Sequence, residues 1–306
     1  MIRRLRRSEL ATPASSERMC AKAPQAGADL VFLDLEDACA TSAKVAARGT
    51  AVAALTGQDW GRTIRAVRIN GIDTVWCHDD VIDIVTGARN AVDILIVPKV
   101  RSARDVWWID VLLTQVEDKI GLTERIGLEV LIEEPAALMN VGEIARSSPR
   151  LEALIFGAGD FSAAMRSRVD ANFQPTSRYP GDFWHSARVQ ILAAARAAGI
   201  DAIDAPFPAY QDPDGYRREA TEAATLGFDG KWAIHPSQVA IANEVYGPTE
   251  VDIDRARALM EAYGAAQAQG VGAIGVDGGL VDAAHLRHAA NILDRVDAPA
   301  TDPATS

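Results

Sequence analysis

About eight short apolar runs recur along this chain, and most of them end in a charged or amide side chain. They are Glu9–Pro13, Ala28–Asp37, Ile64–Asn70, Val92–Lys99, Leu128–Glu134, Leu151–Asp160, Ile200–Pro206 and Gly230–Pro236. Between them lie segments such as "DVWWIDVLLTQVEDKI" and "FWHSARVQILAAARAAG", whose apolar residues recur at helical spacing and which often stop at glycine, as a helix C-cap does. Strands that alternate with helices and are apolar on both faces imply a parallel sheet. About eight such repeats in roughly 240 residues fit a (β/α)8 TIM barrel better than an open sheet. A doubly wound sheet is the alternative, but no GxGxxG follows the first strands. No linker divides the chain before its end.

In a TIM barrel the active site lies at the C-terminal ends of the strands. Asp34, Glu36, Asp37, Arg68, Asn70, Lys99, Glu133, Asp160, Asp204 and His235 all fall at those ends. Together they describe a polar, mostly anionic cup. Glu133 and Asp160 end successive strands and are the expected pair for a hard cation such as Mg2+, which takes one or two carboxylates and leaves its other positions to water and substrate. Strand alternation lets only one of Glu133 and Glu134 face inward, and the other begins the loop. The competing reading makes Asp160 a helix N-cap and Glu134-Pro135 a helix start.

Arg68 carries a charge inside a strand pattern and needs an anionic partner. It either holds a substrate carboxylate or oxyanion, or forms a salt bridge to Glu36 or Asp37. Asp34, Glu36 and Asp37 are too crowded to be charged without compensation, which Lys44 and Arg48 are expected to supply in part; the cluster reads mainly as scaffold. His235 reads as a structural histidine. The "DVWWID" segment reads as helix core or an interface.

The remaining chemistry is bounded by what is missing. The formal net charge of -11 argues against a nucleic-acid partner. The three cysteines, Cys20, Cys39 and Cys77, have no CxxC spacing, so neither a disulfide framework nor a thiolate zinc site is expected and the cytosol is the default compartment. The basic start "MIRRLRRSEL" lacks the apolar stretch of a secretory signal, and no run approaches the length of a membrane helix. There is no GxSxG elbow and no HExxH.

Several stretches, in order, carry a family likeness: "GADLVFLDLEDA", "VRINGIDT", "SSPRLEALIFGAGDFSAAM", "GFDGKWAIHPSQVAIANEVYGPT" and "GLVDAA". Over about residues 7–292 the chain resembles the citrate lyase beta-subunit-like branch of the HpcH/HpaI aldolase superfamily. "DWGRTIRAVRINGIDTVWCHDDVID" and "FWHSARVQILAAARAAGIDAIDAPF" look most like its malyl-CoA and beta-methylmalyl-CoA lyases.

The resemblance implies a catalytic barrel over residues 1–270 and a C-terminal extension over 271–295 that packs on a neighbouring subunit, assembled as trimers or hexamers; the Pro/Ala/Thr-rich end over 296–306 reads from its composition as a disordered tail. It implies Mg2+ on Glu133 and Asp160 and a catalytic arginine at Arg68. A catalytic Asp282 would be donated in trans by the neighbouring subunit. Coenzyme A contacts are expected at Arg18, Lys22, Asn70 and Pro236. The implied reaction is retro-aldol cleavage of a 3-hydroxyacyl-CoA, such as malyl-CoA, methylmalyl-CoA or citramalyl-CoA. The products would be acetyl-CoA or propionyl-CoA plus glyoxylate or pyruvate. A malyl-CoA thioesterase, a CoA-independent 2-oxo acid aldolase and a non-catalytic subunit are the alternatives.

Three departures from the family pattern stand out. Glu134 replaces a small residue after the metal-binding glutamate. Ala11 and Ser16 replace an aromatic and an arginine on the CoA side. The segment Arg166–Asp182, expected to be a lid or loop, is short.

Overall fold

A computed structural model of the 306-residue chain describes residues 4–268, 270, 272–276 and 279–296. Two compact units emerge, Arg6–Tyr246 and Met1–Leu5 with Gly247–Ser306. The first is a closed barrel of eight parallel strands, each hydrogen-bonded to the next, with β1 returning to β8. The strands are β1 (Ser8–Pro13), β2 (Leu30–Asp34), β3 (Ile64–Arg68), β4 (Ile94–Val97), β5 (Gly127–Ile132), β6 (Leu151–Phe156), β7 (Asp201–Asp204) and β8 (Gly230–Ala233). Six of the eight fall inside the apolar runs of the sequence, and β1 and β5 each begin one residue ahead of theirs, at Ser8 and Gly127.

The crossovers carry helices α1 (Glu17–Lys22), α2 (Lys44–Gly57), α3 (Cys77–Ala88), α4 (Ala103–Ile120), α5 (Pro135–Met139), α6 (Val141–Ile144), α7 (Ala158–Ala164), α8 (His185–Ala198), α9 (Pro213–Leu226) and α10 (Pro236–Tyr246). Local chemistry sets their limits. Ser102 and Asp105 form a capping box before α4, and Gly121 closes it in the left-handed region at φ 70°. On α4, Val106 and Ile109 face the core while Trp107 and Trp108 are exposed.

Strand alternation divides the core in two. Leu30, Phe32, Ala66, Ile96, Leu131 and Ile155 point into the barrel. Val31, Leu33, Val67, Leu95, Val130 and Leu154 point outward beneath the helices. The barrel's N-terminal end is closed by charge. Arg6 donates to Glu129 at 2.7 Å and to Asp201 at 2.8 Å, and also pairs with Glu152. Glu9 accepts from the Trp232 indole at 2.8 Å.

The second unit holds α11 (Glu250–Gln267), a hairpin of β9 (Ile274–Val276) and β10 (Gly279–Val281), and α12 (Ala283–Val296). Thr249 and Asp252 cap α11, and α11 packs against α12. The barrel unit therefore ends at Tyr246, ahead of the expected boundary at 270, because α11 belongs with the C-terminal helix. Residues 297–306 of the expected tail lie outside the described residues. Among the described residues, no helix is long and apolar enough to cross a membrane.

Candidate active site

The alternation that fills the barrel also selects its functional side chains. Two residues beyond Leu131, the inward phase of β5 arrives at Glu133, which is 1% exposed. Glu134 turns away as the N-cap residue of α5, 3.6 Å from Arg101. Pro135 then starts the helix where its missing N–H costs nothing. On β3, Ala66 inward gives Arg68 inward, and on β2, Phe32 gives Asp34.

Glu133 and Asp160 converge on one ammonium group. Lys99 Nζ lies 2.7 Å from Asp160 Oδ2, 3.6 Å from Glu133 Oε1 and 3.9 Å from Glu36 Oε1. The Lys99 backbone N–H also donates to Glu133 Oε1 at 2.7 Å, from a left-handed conformation of φ 56° that a side chain seldom adopts. Asp160 sits in the first turn of α7 rather than at its N-cap, which is Gly157. A Cβ on Gly157 would lie 2.4 Å from Glu133 Cβ, so only glycine leaves the carboxylate room here. Burial, above all, pushes the Glu133 carboxyl up to about 8; Asp160 and Glu36 add repulsion and Lys99 offsets part of it.

Arg68 donates Nε and Nη2 to both oxygens of Asp34, at 2.7 and 2.6 Å. Its Nη1 lies 3.0 Å from Glu36 Oε2, and its guanidinium sits 5.3 Å from the Trp232 ring centre. The main ionic partner is thus Asp34, ahead of the expected Glu36 and Asp37. Burial opposes ionisation of Asp34, but Arg68 and the N–H groups of Glu36 and Ala38 outweigh it and hold the carboxyl below the usual range. Glu36 goes the other way: burial raises it to about 7, against the pull of Arg68.

The expected compensation by Lys44 and Arg48 is corrected. Lys44 Nζ serves the carbonyls of Leu35 and Glu36 and the Asn70 side chain, while Arg48 pairs with Asp80 and Asp83. Arg68 and Lys99 are the cations that face the acids. Asn70 is 1% exposed, and its amide donates to Asp80 and accepts from Lys44, which braces the β3 loop.

Neighbouring strands β1 and β8 lead into the elements that carry the other expected CoA contacts. Arg18 and Lys22 are exposed and one turn apart on α1. Ser16, where the family pattern has arginine, caps that helix through Met19 N–H. Ala11 packs against the apolar barrel interior. Pro236 is the exposed first residue of α10, and the adjacent exposed His235 stacks on Tyr210 at 4.9 Å with Nδ1 facing Ser237. Asp282 belongs to the C-terminal unit, where its carboxylate accepts from Ala284 N–H and faces His285 at 2.9 Å. The hydrogen bond to His285, followed by that to Ala284, keeps its pKa low. The segment Arg166–Asp182 has one bridge, Val169 to Pro175, and lays Phe173 against Gly159, beside Asp160.

The residues present suit a hard divalent cation. Among the described residues no cluster of three or more His, Cys, Asp or Glu side chains forms a metal cage. Two carboxylates instead converge on a cation, here the Lys99 ammonium, leaving further ligands to water and substrate. Lys99 itself was legible only as a polar strand end, because nothing in "VPK" states its reach across to β5 and β6.

A parallel barrel whose strand ends gather paired carboxylates beside an oriented arginine is equipped for metal-assisted chemistry on an oxyanion. The HpcH/HpaI aldolase/citrate lyase family model matches residues 7–236, and the chain belongs to this family. It is an enzyme, a carbon–carbon lyase. It is 41% identical over 292 residues to the L-malyl-CoA/beta-methylmalyl-CoA lyase of Cereibacter sphaeroides, covering 92% of each chain. It is 36% identical to a (3S)-malyl-CoA thioesterase from the same species, covering 95% of each. Among solved structures it is similar to the CitE protein of Mycobacterium tuberculosis in complex with magnesium, acetoacetate and coenzyme A. That match has a TM-score of 0.73 and 30% identity, covering 94% of this chain and 97% of that one.

Proposed function

We propose that this chain cleaves, and in reverse forms, the carbon–carbon bond of a 3-hydroxyacyl-CoA of the malyl-CoA type. The convergence of Glu133 and Asp160 beside the Asp34-oriented Arg68 carries this reading. The likeness to a malyl-CoA lyase and to a magnesium- and CoA-bound relative supports it. The substrates are malyl-CoA, methylmalyl-CoA or citramalyl-CoA, and the products are acetyl-CoA or propionyl-CoA with glyoxylate or pyruvate.

Bound by Glu133 and Asp160, Mg2+ would supply Lewis-acid polarisation and a template for the oxygens of the acid part. The chain's own residues do the rest. As the bond to the hydroxyl-bearing carbon breaks, its electron pair passes into the thioester and the hydroxyl proton passes to water. Arg68 stabilises the thioester enolate oxygen that develops. Asp34 fixes the guanidinium plane beforehand, so no reorganisation is needed at that moment. Asp282 gives a proton to the enolate carbon, and in condensation removes one from acetyl-CoA. It acts from a neighbouring copy in a trimer or hexamer. Arg18 and Lys22 meet CoA phosphates, with Pro236 beside them.

The thioesterase relative favours a second outcome at the same site, hydrolysis of the thioester. Mass spectrometry of malyl-CoA and citramalyl-CoA after incubation with the protein separates the two. Acetyl-CoA with a 2-oxo acid, lost on chelation, is expected. Free CoA with malate or citramalate would assign the thioesterase, and turnover of neither would remove the malyl-CoA class.

A further inference from the structure

We infer that Lys99 is a resident counter-cation of the carboxylate pair. In the metal-free protein its ammonium stands between Glu133 and Asp160, and it withdraws to Glu36 when a divalent cation enters. The inference rests on the reading that Glu133 and Asp160 hold such a cation. Among the described residues, Lys99 is the one cation ion-paired with either carboxylate. Its third neighbour, Glu36 Oε1, already lies 3.9 Å from the ammonium, so the exchange is a short swing of the side-chain tip.

The backbone is built for such a swing. The left-handed conformation at φ 56° lets the Lys99 N–H hold Glu133 Oε1 at 2.7 Å however the side chain moves. The stem is fixed against Gly71, where a Cβ would come within 3.3 Å of Lys99 Cγ. The Lys99 side chain is 21% exposed, so its tip has room to turn. A divalent cation and an ammonium cannot share two carboxylates without repulsion, which the burial of Glu133 leaves poorly screened. Lys99 therefore holds the Glu133 and Asp160 side chains in place while lowering their affinity for the metal. It is a positioning residue that tunes metal exchange.

Mn2+ titration of chelator-stripped protein, followed by electron paramagnetic resonance, tests this without reference to turnover. Lys99→Met should bind Mn2+ more tightly, by on the order of tenfold. Lys99→Gln should follow it, and Lys99→Arg should stay near the wild type. Glu36→Gln should weaken binding in the wild type by removing the alternative partner, and less so in the Lys99→Met background. Metal-free Lys99→Met should melt below wild type and recover on adding Mn2+. Unchanged or weaker Mn2+ binding by both neutral variants would overturn the inference. A wild-type protein that binds no Mn2+ would overturn the metal site itself, and the inference with it.

Discussion

Asp34 accepts two hydrogen bonds from Arg68 and two more from backbone N–H groups, so the guanidinium has one orientation before any substrate arrives. Asp34→Asn keeps the shape and breaks the bidentate pairing; kcat should fall by about 10²-fold or more, with Mn2+ affinity near wild type. Steady-state kinetics set beside metal titration read this directly. Glu133 predicts a pH dependence. Its carboxyl rises from 4.5 to about 8 on folding, so the native state favours the protonated form. That contribution to stability is complete below pH 4.5 and is lost as pH rises through about 8. Metal-free protein should therefore lose Tm as pH rises through this window, and Mg2+, which needs the carboxylate, should restore most of it at the alkaline end and least at the acid end. Calorimetry with and without EDTA checks both signs.

The strands set what each side chain can do. Because Leu131 faces inward, Glu133 must and Glu134 cannot; the period of two in "LEVLIEEP" said only that one of the pair would. The eight strands themselves were legible as apolar runs, and Arg68 as a strand charge in need of an anionic partner. What alternation does not state is which strand ends lie within reach across the mouth, so the pairing of Arg68 with Asp34, and of Lys99 with Glu133 and Asp160, had to come from the barrel's closure. Asn70 was legible as a strand end, but not that Lys44 and Asp80 hold its amide. At the opposite end of the strands, Arg6 bridges Glu129, Glu152 and Asp201. Arg6→Met leaves the fully buried Glu129 without its guanidinium partner and should cost about 3–5 kcal/mol in urea unfolding. The loss should shrink as pH falls through about 6, where Glu129, raised chiefly by burial, takes up a proton.

For the whole molecule, the division at Tyr246 puts Asp282 on a different compact unit from Glu133, Asp160 and Arg68. Helical periodicity in Glu250–Gln267 did not say to which unit that helix belongs; its packing on α12 does. If Asp282 acts in trans, Asp282→Asn should abolish turnover with Mn2+ binding intact. Co-expression with Arg68→Lys should then regain part of the activity in mixed oligomers, because some sites draw Arg68 from one copy and Asp282 from another. The central claim is that Glu133 and Asp160 hold the metal on which carbon–carbon cleavage depends. It is tested most directly by restoring Mg2+ to EDTA-stripped protein and measuring acetyl-CoA release from malyl-CoA in the wild type and in Glu133→Gln. The predicted result is saturable recovery by the wild type and none by the variant. Cleavage that survives stripping, or a variant that responds to Mg2+ as the wild type does, would contradict it.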